Sequence, residues 1–595
     1  MEIAGARFLA GPNLVGDAPG LSLMLARGER SLWLEQPVPA GFAERAAQLS
    51  TGAGGYVARI LADLELPPPG DAQMLRLVMV MARRALVPVS VSLGSGAMLG
   101  ASEAKISVFL PCESQNAGMA ALGLAVQLGQ VLAGLAQPAT GQLDKAIAAL
   151  LSASLPPESL SEARQAAAEG VPWHRDAATG DLRFGQGCRT SSSLSSGDPG
   201  RVPSVGVTGS VGKTTTSQLI SHILRGAGRT PGFGGTVGMW VGDEQVSREE
   251  FYQRKNGAPI LFDPRVDTLV LEMPRGGLFS SGAAVDVLDV GVLLNVLPNH
   301  LGHHGFQTVD DIARVKSIVL RIAREAVVLN ADDGIVLALR EVSKARQVAL
   351  FSLGPDNAAI AGHRASGGLH ALRTGEGRLS FCRGSQELFG IDQQQVPAMQ
   401  AMPLDTFAAA ALAAGLSTFL LGIAPDAIIA GLGSFASDFA QNPGRNNRIG
   451  GLPFELILTM SDGPPGFADL ARNLPPVPGG GPSFVCMTAA GDRPDDWIIA
   501  AGRAVANHFD RYLLFDWPDL RGRQPMEVPR LLMQGLVREG VPQDRVTILE
   551  AENRVGEALS LVPDGGRLVL SYASTGGAMT SIRTFAAERG YELTL

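Results

Sequence analysis

Residues 202–216 read V-P-S-V-G-V-T-G-S-V-G-K-T-T-T, and this stretch decides the fold class. Val202, Val205 and Val207 predict a short apolar strand. Gly206, Gly209 and Gly212 open a tight loop, and Lys213 and Thr214 start a helix continued by Leu219, Ile220 and Ile223. A strand, a glycine loop and a helix in that order aim backbone N–H groups at a phosphate, and the helix dipole favours the same charge. Gly209, Ser210, Gly212, Lys213, Thr214 and Thr215 are therefore the expected nucleotide-binding residues. The Lys213 ammonium would sit on the outer phosphates and the Thr214 hydroxyl on magnesium. The spacing departs from the common G-x-x-x-x-G-K-T loop, because Val207 stands where its first glycine belongs; the form here is T-G-x-x-G-K-T-T.

Working outward, strands alternate with helices from 202 to about 440, with strand-like runs at 202–207, 268–272, 288–294 and 326–329. That alternation predicts a mostly parallel sheet with nucleotide at the carboxyl ends of its strands. Pro443, Gly444 and Arg445 mark a boundary. Beyond them, apolar runs at 454–459, 483–488, 511–515, 546–549 and 567–571 predict a second, smaller α/β domain, with 475–482 (P-P-V-P-G-G-G-P) as an exposed loop. Ahead of the loop, residues 1–165 mix β-like runs (31–34, 89–93, 105–110) with helical stretches (71–85, 117–136, 141–153), which predicts an α+β domain. Residues 190–197, T-S-S-S-L-S-S-G, have linker composition. The expected division is thus 1–165, a linking segment 166–200, a nucleotide-binding domain 201–440 and a closing domain 441–595, with no internal repeat.

Composition narrows the class. The 595 residues are 46% apolar and 5% aromatic with a net charge of −8, which fits a multidomain globular protein and gives no basic surface for nucleic acid. Cys112, Cys188, Cys382 and Cys486 lie far apart without metal-ligand spacing, as in a reducing compartment. The first residues, Met1-Glu2-Ile3-Ala4-Gly5, lack a basic, apolar leader. The apolar stretches 117–136 and 407–433 are interrupted by Gln127, Gln130 and Asp426, so buried helices are expected rather than membrane spans. A cytoplasmic protein without membrane or nucleic-acid partners is the resulting expectation.

A nucleotide site needs magnesium ligands. Glu272 ends the apolar strand T-L-V-L-E, which places a carboxylate at the sheet edge beside the loop; a solvated strand-end acid is the bland alternative. Three of the eight histidines, His300, His303 and His304, fall within five residues after the strand-like run D-V-G-V-L-L-N-V-L (289–297). Magnesium prefers oxygen, so an imidazole there leaves manganese or zinc open. Lys316 lies on a helical stretch, where a lone lysine is ordinarily a surface residue.

Five segments, T-G-S-V-G-K-T-T-T, L-E-M-P-R-G-G-L (271–278), N-V-L-P-N-H-L-G-H-H-G (295–305), A-R-V-K (313–316) and L-N-A-D-D (329–333), resemble the Mur ligases in order and spacing. Within that family the likeness is to the Mur-ligase half of cyanophycin synthetases. It rests on R-G-G-L after Glu272, N-P-G-R-N-N (442–447), A-G-D-R (490–493), L-R-G-R (520–523) and the opening L-A-G-P-N (9–13). The resemblance implies an N-terminal α+β domain, a central P-loop domain and a C-terminal Rossmann-like domain. It implies an ATP-dependent ligase that activates a carboxylate as an acyl phosphate for attack by an amine, with ATP and Mg²⁺ required. Carried over residue by residue, Lys213, Lys316 and His300 would be catalytic, Lys316 after carbamylation. Thr214, Glu272 and His300 would hold metal, Asn330 and Asp333 would approach base and ribose, and Arg445 would contact a nucleotide phosphate when the last domain closes.

The chain also departs from that pattern. Cyanophycin synthetases carry an ATP-grasp domain between their N-terminal and Mur-like parts, and here only G-V-P-W-H-R (170–175), L-R-F-G-Q-G (182–187) and T-S-S-S (190–193) resemble its beginning. Ser210-Val211 replaces Thr-Asn, Asn299 replaces an aspartate, Asn446 replaces an apolar residue, and T-M-S-D-G-P (459–464) replaces D-Y-A-H-N-P. Two readings follow. One is a ligase with amino-acid, dipeptide or peptide-like substrates, assembled as a homo-oligomer. The other is a degenerate nucleotide-binding or scaffolding subunit that partners a separate ATP-grasp chain.

Overall fold

The structure is a computed structural model that describes the chain apart from residues 1–2, 28–31, 53, 69–71, 92–96, 102–104, 138, 177–178, 252–253, 300, 303–305, 462, 551 and 573–574. It divides into two compact units. One comprises Met1–Pro203, Phe251–Leu269 and Gly276–Val287; the other comprises Ser204–Glu250, Val270–Arg275 and Leu288–Leu595.

The first unit is built on a four-stranded antiparallel sheet in the order Ile3–Leu9, Gly20–Ala26, Lys105–Pro111, Ala97–Ala101. Alternation along Gly20–Ala26 sends Leu21, Leu23 and Leu25 to one face, all of them buried. They pack in one core with Val78 and Met81 of helix Gln73–Leu86 and Leu124 and Leu128 of helix Gln115–Leu132. Ser114 fixes the start of the second helix by accepting the Ala117 N–H at 3.1 Å. Of the run 31–34, expected as strand, residues 32–34 lie instead in a 3₁₀ turn, Leu32–Glu35, in which only Leu34 is buried, and residue 31 is outside the described set. Of the run 89–93, Val89 closes a second 3₁₀ turn, Val87–Val89, Ser90 and Val91 follow outside any strand, and 92–93 lie outside the described residues. The serine-rich stretch is tied back to helix Pro157–Glu169, because Glu162 accepts from the Ser193 hydroxyl at 3.0 Å and the Leu194 N–H at 2.7 Å.

The second unit holds two large sheets. The eleven-stranded sheet runs in the order Glu244–Ser247, Gly238–Val241, Pro231–Gly235, Thr268–Glu272, Ser204–Thr208, Leu288–Leu293, Ala323–Asn330, Gln347–Ser352, Leu369–Arg373, Arg378–Arg383, Gln386–Asp392. Ser204–Thr208 through Leu369–Arg373 are mutually parallel, and antiparallel hairpins close both edges. The six-stranded sheet runs Asn447–Ile449, Glu455–Thr459, Arg567–Ser571, Ser483–Met487, Arg511–Leu514, Val546–Ile548, parallel after its first, antiparallel strand. Central strands such as S-V-G-V-T and R-L-V-L-S are buried at every position, as parallel strands covered on both faces must be. This is the α/β architecture that the strand–loop–helix reading predicts.

The expected helix over 407–433 is two helices, Asp405–Leu420 and Pro425–Ser434. Gly422, at φ 84°, turns the chain, and Pro425 starts the second helix at a position whose N–H is not needed. Among the described residues no helix is long and apolar enough to cross a membrane.

Register places the site. Thr208 pairs with Leu293, and Leu293 with Leu329, so the glycine loop, the 294–299 segment and Asn330 all leave the sheet at one edge.

Candidate functional site

Gly212 caps helix Lys213–Gly226 at φ 87° with no side-chain cap, leaving the first helical amides to face the loop's hollow. Asn295, the residue just past the neighbouring strand, braces this loop. Its Oδ1 accepts the Ser210 and Val211 N–H groups, each at 2.9 Å, and its Nδ2 donates to the Val211 carbonyl at 3.2 Å. Ser210 Oγ in turn accepts the Leu297 N–H at 2.9 Å. The Lys213 ammonium folds over the turn and donates to the Gly209 and Ser210 carbonyls at 3.1 and 3.2 Å. Asn295 had no assigned role in the sequence; the readable signal was an amide side chain at a strand's carboxyl end beside a glycine loop.

Thr214 and Glu272 meet. The Thr214 hydroxyl donates to the Glu272 carboxylate, 3.2 Å from Oε1 and 3.1 Å from Oε2, and lies 3.1 Å from the Thr236 hydroxyl. The Thr236 N–H also donates to Glu272 Oε2 at 3.2 Å. Glu272 is buried, and the Glu250 carboxyl is pushed up by its own burial and by the Glu272 charge. Two hydroxyls and a buried carboxylate, all hard oxygen donors at a helix N-terminus, fit magnesium, which takes one or two protein carboxylates and completes its shell with phosphates and water. Thr236 joins this set without having been singled out. No group of three or more His, Cys, Asp or Glu that could hold a metal occurs among the described residues. His300, together with His303 and His304, lies outside the described residues.

Lys316 is not a surface residue. It lies on the inner face of helix Val309–Arg321 with 2% of its surface exposed. Burial, then the Lys213 and Arg275 charges, hold its ammonium well below the ordinary lysine value. Arg275 stacks over the Phe306 ring with 5.0 Å to the centroid, and its own guanidinium is lowered first by burial. Lys213, Arg275 and Lys316 thus form a positive, poorly hydrated group beside the phosphate loop.

The segment around the 443–445 boundary reaches the same loop. Arg445 Nη2 donates to Thr214 Oγ1 at 3.3 Å, and Asn442 Nδ2 donates to Thr215 Oγ1 at 3.2 Å. Asn446 occupies a left-handed conformation (φ 60°) that asparagine tolerates and a bulky apolar residue does not, which gives a local reason for its presence. A cavity of about 220 Å³ lies between the loop and this segment, lined by Ser210, Lys213, Thr215, Arg445, Thr459 and Ser461 among others. Asp462 lies outside the described residues. A second cavity of about 280 Å³ borders the loop's other side and is walled by Val211, Leu294, Asn330, Ala409 and Pro465. Asn330 Nδ2 donates to the Leu294 carbonyl at 2.9 Å. Asp333 is not among the residues lining either cavity. Its Oδ1 accepts the Ile335 and Val336 N–H groups and its Oδ2 the Val296 N–H, which makes it a helix cap and a brace. The structure therefore brings together Gly209 through Thr215, Glu272, Lys316 and Arg445, sets Asn330 in the adjoining cavity, and keeps Asp333 behind it.

Residues 207–383 match the Mur ligase middle domain. The chain is 33% identical over 393 residues to a cyanophycin synthetase of a Synechocystis species, covering 65% of this chain and 44% of that protein. It is 34% identical over 389 residues to the cyanophycin synthetase of Crocosphaera subtropica, covering 64% and 44%. Over 203 residues it is 33% identical to the UDP-N-acetylmuramoylalanine–D-glutamate ligase of Symbiobacterium thermophilum, covering 33% and 38%. The matched region thus spans less than half the length of these curated relatives. Among solved structures, the MurF ligase of Thermotoga maritima in complex with ADP aligns at 17% identity over 65% of this chain and 81% of that one, with a TM-score of 0.44.

Proposed function

We propose that this chain, which carries a Mur ligase middle domain at 207–383, is an ATP-dependent carboxylate–amine ligase. The observation that carries this reading is the meeting of Arg445 with the Thr214–Glu272 pair at the N-terminus of the phosphate-loop helix. One face of the cavity would hold phosphates, and Arg445 reaches it from the 442–446 segment.

In the proposed reaction a substrate carboxylate oxygen attacks the γ-phosphorus of ATP, and the bond to the bridging oxygen breaks to release ADP. The amine nitrogen then attacks the acyl-phosphate carbon; phosphate leaves with the electron pair, and the nitrogen loses a proton. Loop amides and Lys213 would orient and neutralise the phosphates, and Arg445 would follow the charge that moves onto the bridging oxygen. Thr214, Thr236 and Glu272 would hold magnesium, which supplies further charge neutralisation when bound. Lys316, whose ammonium is disfavoured by burial and by the Lys213 and Arg275 charges, is suited to carbamylation by carbon dioxide, and the resulting anion would sit beside Lys213 and Arg275. His300 would contribute from the 295–305 segment. Residues 201–440 would bind nucleotide and 441–595 would close on it.

The relatives' names support substrates of the amino-acid or peptide class, namely an amino-acid, dipeptide or peptide-like carboxylate and an amine. Four unpaired cysteines support a reducing, cytoplasmic setting. A homo-oligomer, or a pairing with a separate ATP-grasp chain, is part of the same proposal. One observation favours the second reading, a nucleotide-binding subunit without full chemistry: Thr459, Met460 and Ser461 line the cavity where the family pattern has D-Y-A. A screen for amine-dependent ADP release, over amino acids with and without an aspartate polymer, separates the two. A ligase releases ADP only when both substrates are present, whereas a subunit binds ATP and releases none.

A further inference from the structure

Helix Asp405–Leu420 has no side-chain cap of its own, since Leu404 stands at its N-cap position. Its first amides are satisfied from outside. Asp469, on helix Pro464–Asn473 of the C-terminal segment, accepts the Asp405 N–H on Oδ1 at 2.9 Å and the Thr406 N–H on Oδ2 at 2.8 Å. This carboxylate is 2% exposed and is oriented by Asn473, whose Nδ2 donates to Oδ1 at 2.8 Å and to the Asp469 carbonyl at 3.0 Å. The exchange runs both ways. The Asp405 carboxylate lies 2.8 Å from Arg373 of the large sheet and 3.6 Å from Arg472, three residues beyond Asp469. A buried anion on the N-terminus of a helix, with a hydrogen bond to each oxygen, is the strong form of such a contact.

The clasp is placed to matter. Helix Asp405–Leu420 packs against Lys213–Gly226, the helix that starts at the phosphate loop. Thr406 lines both loop cavities, and Asp469 lines the second beside Val211 and Gly212. The helix that carries Asp469 follows Thr459, Met460, Ser461 and Gly463, which line the first cavity together with Arg445.

We propose that Asp469 is a positioning residue: its carboxylate clasps the N-terminus of helix 405–420 and so holds the C-terminal segment in the orientation from which Arg445 reaches Thr214. The consequence for ATP rests on the nucleotide-site reading above; the clasp itself does not. The test uses the full chain with Asp469→Asn, which removes the charge and turns an amide N–H₂ toward one of the two donors, and with Asn473→Ala, which removes only the orienting bond. Amide hydrogen exchange is read at 405–406 and at the sheet strands 455–459 and 567–571, and Mg-ATP affinity is read by equilibrium binding.

In Asp469→Asn, exchange at 405–406 should accelerate about tenfold or more while the strands keep their protection, and ATP affinity should fall about tenfold; Asn473→Ala should show the same pattern at a few-fold level. If ligation is observed, KM for ATP should rise more than kcat falls, which a merely structural loss does not produce. Unchanged exchange at 405–406, or unchanged ATP affinity, in a folded Asp469→Asn protein overturns the proposal. Should the unaltered chain bind no Mg-ATP, the nucleotide-site reading fails, and exchange at 405–406 alone then decides whether the clasp exists.

Discussion

Replacing Lys316 by methionine should stabilise the protein and disable it. The lysine is 2% exposed, and the charged groups acting on it are Lys213 and Arg275, both cations. Methionine fills similar space without a polar end, and removing a buried amine that is held among two cations is worth about 1–3 kcal/mol. The sign of the pH dependence follows from the direction of the shift. The lysine's folded value lies below its unfolded value of about 10.4, so between the two the unfolded chain binds more protons and stability rises with pH. The advantage of Lys316→Met is therefore complete below the folded value and vanishes as pH climbs toward the unfolded one. Bicarbonate should reverse the comparison, because a carbamate on Lys316 would place an anion among the two cations. Thermal melts of both proteins at pH 7, in bicarbonate-free and bicarbonate-containing buffer, read the stability arm. Amine-dependent ADP release reads the other, with an expected loss of about a hundredfold or more. A methionine variant that melts lower in bicarbonate-free buffer, or that keeps full ADP release, refutes the reasoning.

Lys213→Ala should cost about a hundredfold or more in ATP turnover, measured as ADP formation at saturating ATP, because it removes a charge that balances the transferring phosphoryl group. Glu272→Gln should raise the magnesium concentration at half-maximal ATP binding about tenfold or more, and superimposable titrations would count against the Thr214–Glu272 metal set. Gly212→Ala forces a side chain into φ 87° with its Cβ 3.3 Å from Leu294 Cδ1, so a stability loss of about 1–2 kcal/mol by chemical denaturation is expected, together with weaker ATP binding. Asn295→Ala strips the brace from Ser210 and Val211 and should weaken ATP binding about tenfold in a binding isotherm while leaving the melting of the six-stranded sheet unchanged.

What could be read from the chain, and what could not, divides along physical lines. The strand 204–208, its loop and its helix were legible because glycine spacing and the β-to-helix change of period sit side by side, and Glu272 was legible as a charge ending an apolar run. The helix interruption at 422–425 was written in the sequence as Gly422 and Pro425 and was overridden by the surrounding apolar stretch. Thr236 and Asn295 were missed because each acts across the sheet, 36 and 84 residues in sequence from the groups it meets, and no local pattern encodes such a meeting. Lys316 was legible as important only through the family likeness. Its burial comes from the packing of helix Val309–Arg321, in which a lysine sits on the face shared by Ile312, Val315 and Val319. Asp469 reads as an ordinary helical acid until the neighbouring helix end is in place.

The most direct test of carboxylate activation follows oxygen. With the substrate pair that supports ADP release, the carboxylate substrate is supplied with both of its oxygens as ¹⁸O, and the phosphate formed is examined by mass spectrometry. Acyl-phosphate formation at the Lys213–Thr214–Arg445 site requires one ¹⁸O to appear in phosphate for each amide bond made. ADP release with unlabelled phosphate would mean that water, not the carboxylate, attacks the γ-phosphorus, and would contradict the proposed ligase.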